Sequence, residues 1–296
     1  MKIVFTGGGT AGHFYPNIAI AENFYNLVEA ENIVSVELFY FSDTEYDKSA
    51  LYENKMKFVK IPAGKLRVGG GGIQNFFDMF VTAYGILIAI MKLYSVYPDV
   101  VIAKGGYASF PTLFAARLLK IPVVIHESDS TPGRVSQWAG KFAQRVAVSY
   151  EDAAKFLNPA KVALTAQPIR EELKSPASEG VFDFYKLDPT VPVVLVLGGS
   201  QGAEIINNAL LDALPTLLPK YQIIHQTGMN NLESVKGQAD ITMADSKDLL
   251  RDRYRAIGFL NVLGMRMAGG SSSVVITRAG STLFEIASWN TPCIVI

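Results

Sequence analysis

Short apolar runs that favour β-strands alternate with longer stretches that favour helices along the whole chain. The predicted strands are residues 2–6, 34–41, 100–103, 122–126 and 145–149 in the first half, and 192–197, 221–225, 257–260, 273–277 and 292–296 in the second. Strands that alternate with helices pair in parallel, and helices cover both faces of the sheet. The pattern therefore predicts an α/β protein built on parallel sheets.

The two halves of the chain also repeat each other. Residues 8–12 match 198–202, residues 99–106 resemble 273–280, and residues 121–125 resemble 291–295. Each half thus carries a glycine-rich turn at the carboxyl end of a strand, which is the edge where parallel sheets bind ligands. We predict two similar domains, residues 1–158 and 159–296, with the ligand cleft between them.

Charge and cysteine content narrow the classes of function. The 296 residues include 27 basic and 27 acidic side chains, so the formal net charge is zero and nothing favours binding to nucleic acid. The single cysteine, Cys293, excludes an internal disulfide and fits a reducing cytosol. A chain of this length can bury two cores.

The most apolar segment is residues 79–91, which lie between Asp78 and Lys92. It is shorter than the roughly 18–20 residues that a membrane-spanning helix needs. The first interpretation is a buried helix; the second is a helix whose exposed apolar side docks on a bilayer. In the second case Lys65 and Arg67, in the glycine-rich segment upstream, would meet anionic headgroups.

Two glycine turns carry the first candidate chemistry. GGGTAGH at 7–13 and GGSQGAE at 198–204 each follow a predicted strand and open a predicted helix, so each presents backbone N–H groups to an anion such as a phosphate. The first turn also fits the G-x-G-x-x-G dinucleotide pattern, with Asp43 as a candidate ribose ligand. A nicotinamide domain, however, explains neither His13 nor the second turn.

Three further segments end or follow predicted strands. KGGYASFP at 104–111 places amides and a hydroxyl at the same edge, and HESD at 126–129 adds ionisable groups that could orient or deprotonate a hydroxyl. RAGSTLFE at 278–285 places small donors at a helix N-terminus, with Glu285 one turn in, where a carboxylate can accept both hydroxyls of a ribose. Ordinary turn chemistry and helix capping are the alternative explanations for these segments.

No two aspartates are separated by one residue, and the sequence contains no Cys/His metal cluster, no G-x-S-x-G elbow and no Walker motif. We therefore expect no metal and no cofactor. A diphosphate leaving group would be stabilised by helix ends and backbone amides.

Six segments occur in the order found in one enzyme family: GGGTAGHFYP, GGYASFP, HES followed by an acid, GGSQGAEIIN, HQTG and TRAGSTLFEI. With them the chain resembles the MurG family of lipid I N-acetylglucosaminyltransferases over essentially its whole length. The resemblance implies the GT-B fold, two Rossmann-like parallel-sheet domains facing across a cleft. It further implies inverting transfer of N-acetylglucosamine from UDP-N-acetylglucosamine to the 4-hydroxyl of the muramoyl sugar of undecaprenyl-linked lipid I, which forms lipid II in peptidoglycan synthesis.

The resemblance also implies where the enzyme works. The expected location is the cytoplasmic face of the plasma membrane, held peripherally by the first domain, with cell-wall and division proteins as further partners. The patch expected to contact the membrane is Lys65, Arg67, Phe80, Ile86 and Leu87.

By resemblance, His13 is the catalytic base or the group that orients the acceptor, and Glu127 is the second catalytic candidate. The expected donor and nucleotide contacts are Thr10, Ala11, Gly12, Asp129, Arg170, Ser200, Gln201, Leu260, Gly280, Ser281, Thr282 and Glu285. The expected acceptor-side residues are Gly105, Gly106, Tyr107 and Ser109.

Two departures from the family pattern affect these expectations. The family usually has asparagine where this chain has Asp129, and an anion is less favourable beside a diphosphate. The chain also stops inside an apolar strand at Ile296, which predicts a C-terminal truncation relative to the family. The alternatives are therefore a non-catalytic nucleotide-sugar-binding protein or another GT-B enzyme such as a 2-epimerase.

Overall fold

The protein consists of two compact units. The computed structural model describes residues 1–33, 35–65, 67, 70, 72–199, 202–244 and 246–296, and these divide into Met1–Glu171 and Glu172–Ile296. The division falls after residue 171 and not after 158, because residues 162–164 still pair with the first sheet.

The first unit is a parallel sheet in the order β3-β2-β1-β4-β5-β6-β7, counted over the described residues. Its strands are β1 (Lys2–Thr6), β2 (Glu37–Ser42), β3 (Met56–Lys60), β4 (Val100–Ala103), β5 (Val123–Glu127), β6 (Arg145–Val148) and β7 (Val162–Leu164). Its helices are α1 (Ala11–Ala30), α2 (Lys48–Glu53), α3 (Gly72–Val96), α4 (Phe110–Leu118), α5 (Arg134–Gly140) and α6 (Glu151–Ala154), with short 3₁₀ turns at Tyr107–Ser109, Pro159–Lys161 and Glu171–Leu173.

The second unit repeats this plan with fewer strands, in the order β10-β9-β8-β11-β12 over its described residues. Its strands are β8 (Val193–Leu197), β9 (Gln222–Gln226), β10 (Tyr254–Ile257), β11 (Ser272–Thr277) and β12 (Cys293–Val295). Its helices are α7 (Val181–Tyr185), α8 (Glu204–Leu217), α9 (Leu232–Thr242), α10 (Asp248–Arg251), α11 (Val262–Ser271) and α12 (Thr282–Ser288), with a 3₁₀ turn at Met229–Asn231.

The strand orders confirm the repeat inferred from the sequence. In the first unit β1 pairs with both β2 and β4, and in the second β8 pairs with both β9 and β11. The chain therefore reverses its direction of winding between β1 and β4 and again between β8 and β11. Such switch points open a crevice at the carboxyl ends of the strands.

Both sheets are covered on each face, as parallel sheets require. In the first unit Phe14 and Ile18 of α1 pack on one face, and Leu93 and Leu113 of α3 and α4 pack on the other. In the second unit α8 covers one face through Leu210 and Leu214 while α11 and α12 cover the other.

The interpretation of residues 79–91 as a buried helix was wrong. They lie inside α3, which is 25 residues long, and only 17% of its most apolar 18-residue window is buried. Within the described residues α3 is long and apolar enough to cross a membrane by length and composition. Its buried stripe is narrow, with Gly85, Ala89 and Leu93 at helical spacing.

Candidate active site

The glycine turn at 7–10 leads from β1 directly into α1 at the first switch point. Gly9 has φ +85°, a left-handed conformation that favours glycine. Thr10 is the exposed N-cap residue of α1, and its side chain makes no capping hydrogen bond in the described structure. Ala11 and Gly12 form the first turn of the helix, so their N–H groups lie where a helix binds an anion.

His13 lies at the centre of this site, half-buried between the two glycine turns that follow β1 and β4. Its Nδ1 lies 3.2 Å from the backbone oxygen of Lys104. A carbonyl can only accept, so Nδ1 carries the proton and Nε2 keeps a free lone pair. Burial and the Lys104 charge lower the pKa of His13, against the raising effects of this hydrogen bond, Glu127 and Asp129.

The turn after β4 explains why glycine stands at 105 and 106. Both residues have positive φ, +76° and +80°. A Cβ on Gly106 would come within 3.2 Å of the His13 Cδ2 atom, and one on Gly105 within 2.6 Å of the Ser136 Oγ atom. Gly106 lets the turn approach the imidazole closely, and Gly105 lets it approach Ser136.

Tyr107 closes the other side of the first glycine turn. A Cβ on Gly9 would meet its ring at 2.8 Å, and its hydroxyl donates to Asp43 Oδ2 over 2.7 Å. Burial and Asp43 raise the pKa of Tyr107 to about 12. Asp43, a candidate ribose ligand in the dinucleotide interpretation, instead fixes Tyr107.

Ser109 is fully buried and supports the same turn. Its hydroxyl donates to the Gly106 backbone oxygen over 2.9 Å. Its hydroxyl hydrogen is thus used within the protein, and an acceptor-side role for Ser109 stays a prediction.

Glu127 also organises a loop. It is buried at the end of β5, and its two carboxylate oxygens accept from the backbone N–H groups of Asp129 and Gly133 over 3.0 and 3.2 Å. Asp129 itself is exposed. A catalytic role for Glu127 and nucleotide binding by Asp129 stay predictions.

Arg170 belongs to the first unit and lies beside the start of α1. Its guanidinium lies 4.1 Å from the centroid of the Tyr15 ring, and the Tyr15 hydroxyl donates to Asp47 over 3.0 Å. Tyr15 follows His13 by two residues in α1, so the Arg170 cation lies near the start of the helix that carries His13. The contact of Arg170 with a diphosphate stays a prediction.

Lys104 and Gln167 were missed by the sequence analysis. Lys104 is almost fully buried, and its ammonium is hydrogen-bonded to His126, Ser128 and Gln167 beneath the site. The sequence feature that could have identified Lys104 is its position directly between an apolar strand and two glycines.

The second switch point repeats the first glycine turn. Gly199 and Gly202 have φ +85° and +79°, and a Cβ on Gly202 would lie 2.0 Å from the Thr227 backbone oxygen. The turn is also held by Gln226, whose Nε2 donates to the Gly199 oxygen over 3.0 Å. Ser200 and Gln201 lie outside the described residues.

The turn after β11 brings the other predicted nucleotide residues together. A Cβ on Gly280 would lie in open space, Ser281 is the N-cap residue of α12, and Thr282 begins that helix. Glu285 lies in its first turn with only 9% of its surface exposed. Leu260 follows β10 and is buried in the core, so only its backbone could contact a base.

The predicted membrane patch forms an exposed apolar face on α3. Phe80 and Leu87 are 57% and 60% exposed, whereas Ile86 is half-buried. Arg67 is paired with Asp78 and exchanges backbone and side-chain hydrogen bonds with Asn75, while Lys65 is exposed. The charge of Arg67 is thus partly offset by Asp78, and contact of Lys65 and Arg67 with anionic headgroups stays a prediction.

An apolar groove of about 760 Å³ runs between α3 and the turn that carries Tyr107. Its walls include Phe76, Met79 and Ile86 from α3, together with Phe110 and Trp138. It continues the exposed face of α3 towards Tyr107. Among the described residues no group of three or more His, Cys, Asp or Glu side chains could hold a metal ion.

Comparison with known proteins agrees with this geometry. Residues 3–148 match the glycosyltransferase family 28 N-terminal domain, and residues 193–296 match the C-terminal domain of that family. Two Rossmann-like parallel-sheet units with these domain types define a GT-B glycosyltransferase.

A protein of Bacillus cereus named UDP-N-acetylglucosamine--N-acetylmuramyl-(pentapeptide) pyrophosphoryl-undecaprenol N-acetylglucosamine transferase 2 is 34% identical over 296 residues, which are 100% of this chain and 78% of that protein. The crystal structure of Acinetobacter baumannii MurG superposes with a TM-score of 0.64 at 22% identity, over 100% of this chain and 78% of that one. The chain belongs to the MurG family of N-acetylglucosaminyltransferases.

The fold is shared with enzymes of another activity. A putative UDP-N-acetylglucosamine 2-epimerase from Listeria monocytogenes superposes with a TM-score of 0.71 at 13% identity, over 99% of this chain and 78% of that one. At that identity the likeness concerns the fold alone, so family membership rests on the sequence relatives.

Proposed function

We propose that this chain transfers N-acetylglucosamine from UDP-N-acetylglucosamine to the 4-hydroxyl of the muramoyl sugar of undecaprenyl-linked lipid I, with inversion, to form lipid II. The observation that carries the proposal is His13, fixed between two glycine turns with its Nε2 lone pair free. Family membership and the name of the Bacillus cereus relative support the substrates.

His13 supplies the base for the acceptor hydroxyl. The Lys104 carbonyl holds the proton on Nδ1, and the lowered pKa keeps the imidazole neutral at pH 7. As the hydroxyl attacks the anomeric carbon of the donor sugar, its proton passes to Nε2. The bond from that carbon to the diphosphate breaks, and UDP leaves.

Backbone groups stabilise the departing diphosphate. Among the described residues, the N-terminus of α1, the turn glycines Gly199 and Gly202 and the turn at 280–282 follow the carboxyl ends of strands, where their backbone amides can act as donors. Such donors act on the charge that develops on the leaving group, so we propose a reaction without a metal. Glu285 would accept from the ribose hydroxyls.

The exposed face of α3 supports peripheral binding to the cytoplasmic face of the plasma membrane. The groove that continues it towards Tyr107 suits the polyprenyl end of the acceptor, because its walls are mostly apolar and aromatic. An acceptor held there would have its sugar near the site that contains His13.

The direct test supplies radiolabelled UDP-N-acetylglucosamine and a short-chain lipid I analogue to the chain in EDTA. Label in the lipid product is the expected result. A 2-epimerase would instead convert the donor to its 2-epimer without using the acceptor. Binding of UDP without either product would identify a non-catalytic nucleotide-sugar-binding protein.

A further inference from the structure

Lys104 is a lysine in an unusual place. It follows β4 directly, precedes the two glycines that approach His13, and is only 2% exposed. A buried ammonium loses its hydration, so it is tolerated only where its N–H groups find acceptors.

The ammonium has one acceptor for each of its three N–H groups. They are His126 Nδ1 at 2.7 Å, Gln167 Oε1 at 3.5 Å and the Ser128 hydroxyl. His126 Nε2 lies 3.0 Å from the Ala166 backbone oxygen and must donate to it, which leaves Nδ1 as a lone pair for the lysine. All three acceptors are neutral, so the hydrogen bonds hold the charge in place without cancelling it.

Two carboxylates act on this charge from the end of β5. Burial lowers the pKa of Lys104 to about 8, and the charges of Glu127 and Asp129 oppose that effect. The lysine is thus mainly protonated at neutral pH. Its ammonium, Glu127 and Asp129 are also the charged groups that act on His13.

We propose that Lys104 is a positioning residue of the transfer site, a fixed buried counter-charge to Glu127 and Asp129 that keeps His13 neutral and able to accept the acceptor proton. The inference rests on the proposed function. In this arrangement the anion at Asp129 is balanced by a cation in the turn that follows β4.

Replacing Lys104 by methionine tests the role of the charge. In K104M the carboxylates are no longer offset, so the pKa of His13 rises and the acidic limb of kcat/KM moves to higher pH, with about a tenfold loss of kcat/KM at pH 7. In K104M/D129N the acidic limb of kcat/KM moves back to lower pH, and part of the activity at pH 7 returns. The matched control K57M removes an exposed lysine that pairs with Glu37 and leaves the limb unchanged.

Two NMR measurements make the test independent of turnover. In the free protein the imidazole of His13 should titrate at higher pH in both K104M and K104Q than in the wild type. This holds even if the chain transfers no sugar. In the wild-type protein the ¹⁵N signal of the Lys104 amine reports a protonated group at pH 7. A neutral amine, or a His13 titration that is unchanged in the folded variants, would overturn the proposal.

Discussion

At the scale of single residues, the site depends on which nitrogen of His13 carries the proton. The hydrogen bond to the Lys104 carbonyl fixes that choice, and Gly106 lets the turn lie against the ring. A side chain at residue 106 would be strained by the positive φ and would crowd the ring. The tautomer of the proposed base is therefore set by backbone geometry.

The pH dependence of transfer follows from this arrangement. The pKa of His13 lies below its ordinary value of 6.5, and the base must be unprotonated to act. We expect kcat/KM to fall with decreasing pH along a limb whose midpoint lies below 6.5. A midpoint above that value would contradict the proposed environment of His13.

Glu285 provides a second test at this scale. If its carboxylate accepts from the ribose, E285A loses charge-assisted hydrogen bonds worth about 1.5–3 kcal/mol, and KM for UDP-N-acetylglucosamine rises roughly 10- to 100-fold. E233A, which removes an exposed first-turn glutamate from α9, is the matched control. Steady-state kinetics with varied donor measures both variants, and equal KM values would remove the ribose role.

At the scale of elements, the glycines of the second unit differ in what they do. Gly202 has φ +79° and lies against the Thr227 carbonyl, whereas Gly237 is exposed inside α9 with open space around it. We expect G202A to lower the free energy of unfolding by at least about 2 kcal/mol through strain and steric conflict. G237A should raise it by roughly 0.5–1 kcal/mol. Urea unfolding measures both, and effects of the same sign would contradict the account.

The exposed face of α3 makes a second prediction for an element. Replacing Phe80 and Leu87 by aspartate removes two apolar side chains that are more than half exposed, so folding should survive. Binding to anionic phospholipid vesicles should weaken at least about tenfold, because each side chain contributes on the order of 1 kcal/mol or more when buried in lipid. Vesicle sedimentation measures this.

The double variant I241D/L249D is the control, since it changes two exposed apolar residues of the second unit. It should bind vesicles like the wild type. Equal losses in both double variants would show that the face of α3 has no special part in membrane binding.

The elements also show what the sequence could predict. Central strands such as β1 and β8 are continuous apolar runs, and the structure confirms them. β3 and β7 were missed because β3, at the edge of the sheet, has two lysines among its five residues and β7 has only three residues. β10 lies at Tyr254–Ile257, slightly before its predicted position, because Gly258 begins the turn that follows it.

Features that depend on distant contacts escaped the sequence analysis. The composition of α3 shows that it is apolar, but only its packing shows that one narrow stripe is covered. Similarly, Lys104 and Gln167 are 63 positions apart, and the residues next to each in the sequence do not indicate that the two share a hydrogen bond. The glycine turns were predictable because one short motif defines the backbone geometry.

At the scale of the whole molecule, each unit contains a buried neutral histidine. Burial and the Lys104 charge lower the pKa of His126 to about 4, and burial alone lowers that of His225 to about 4. His225 is bonded to Tyr254 and Asn207, over 2.8 and 3.0 Å, and supports the core of the second unit.

These histidines make the stability of the protein depend on pH. Between pH 6.5 and 4 the histidines bind protons in the unfolded chain but stay neutral in the folded protein. The free energy of unfolding is therefore highest above pH 6.5 and decreases as the pH falls. The loss is at most about 3 kcal/mol for each histidine. Urea unfolding at several pH values measures it. H225Q should make the free energy of unfolding of the second unit depend less on pH. If the slope of that free energy against pH is unchanged, the role of His225 is contradicted.

His13 is the proposed base of the sugar transfer. The most direct measurement compares the wild type with H13A and H13N for transfer of labelled N-acetylglucosamine to a lipid I analogue in EDTA, alongside the Kd for UDP. We predict that kcat falls by about 10²–10⁴ in both variants while the Kd for UDP is nearly unchanged. Transfer at the wild-type rate without His13 would contradict the account.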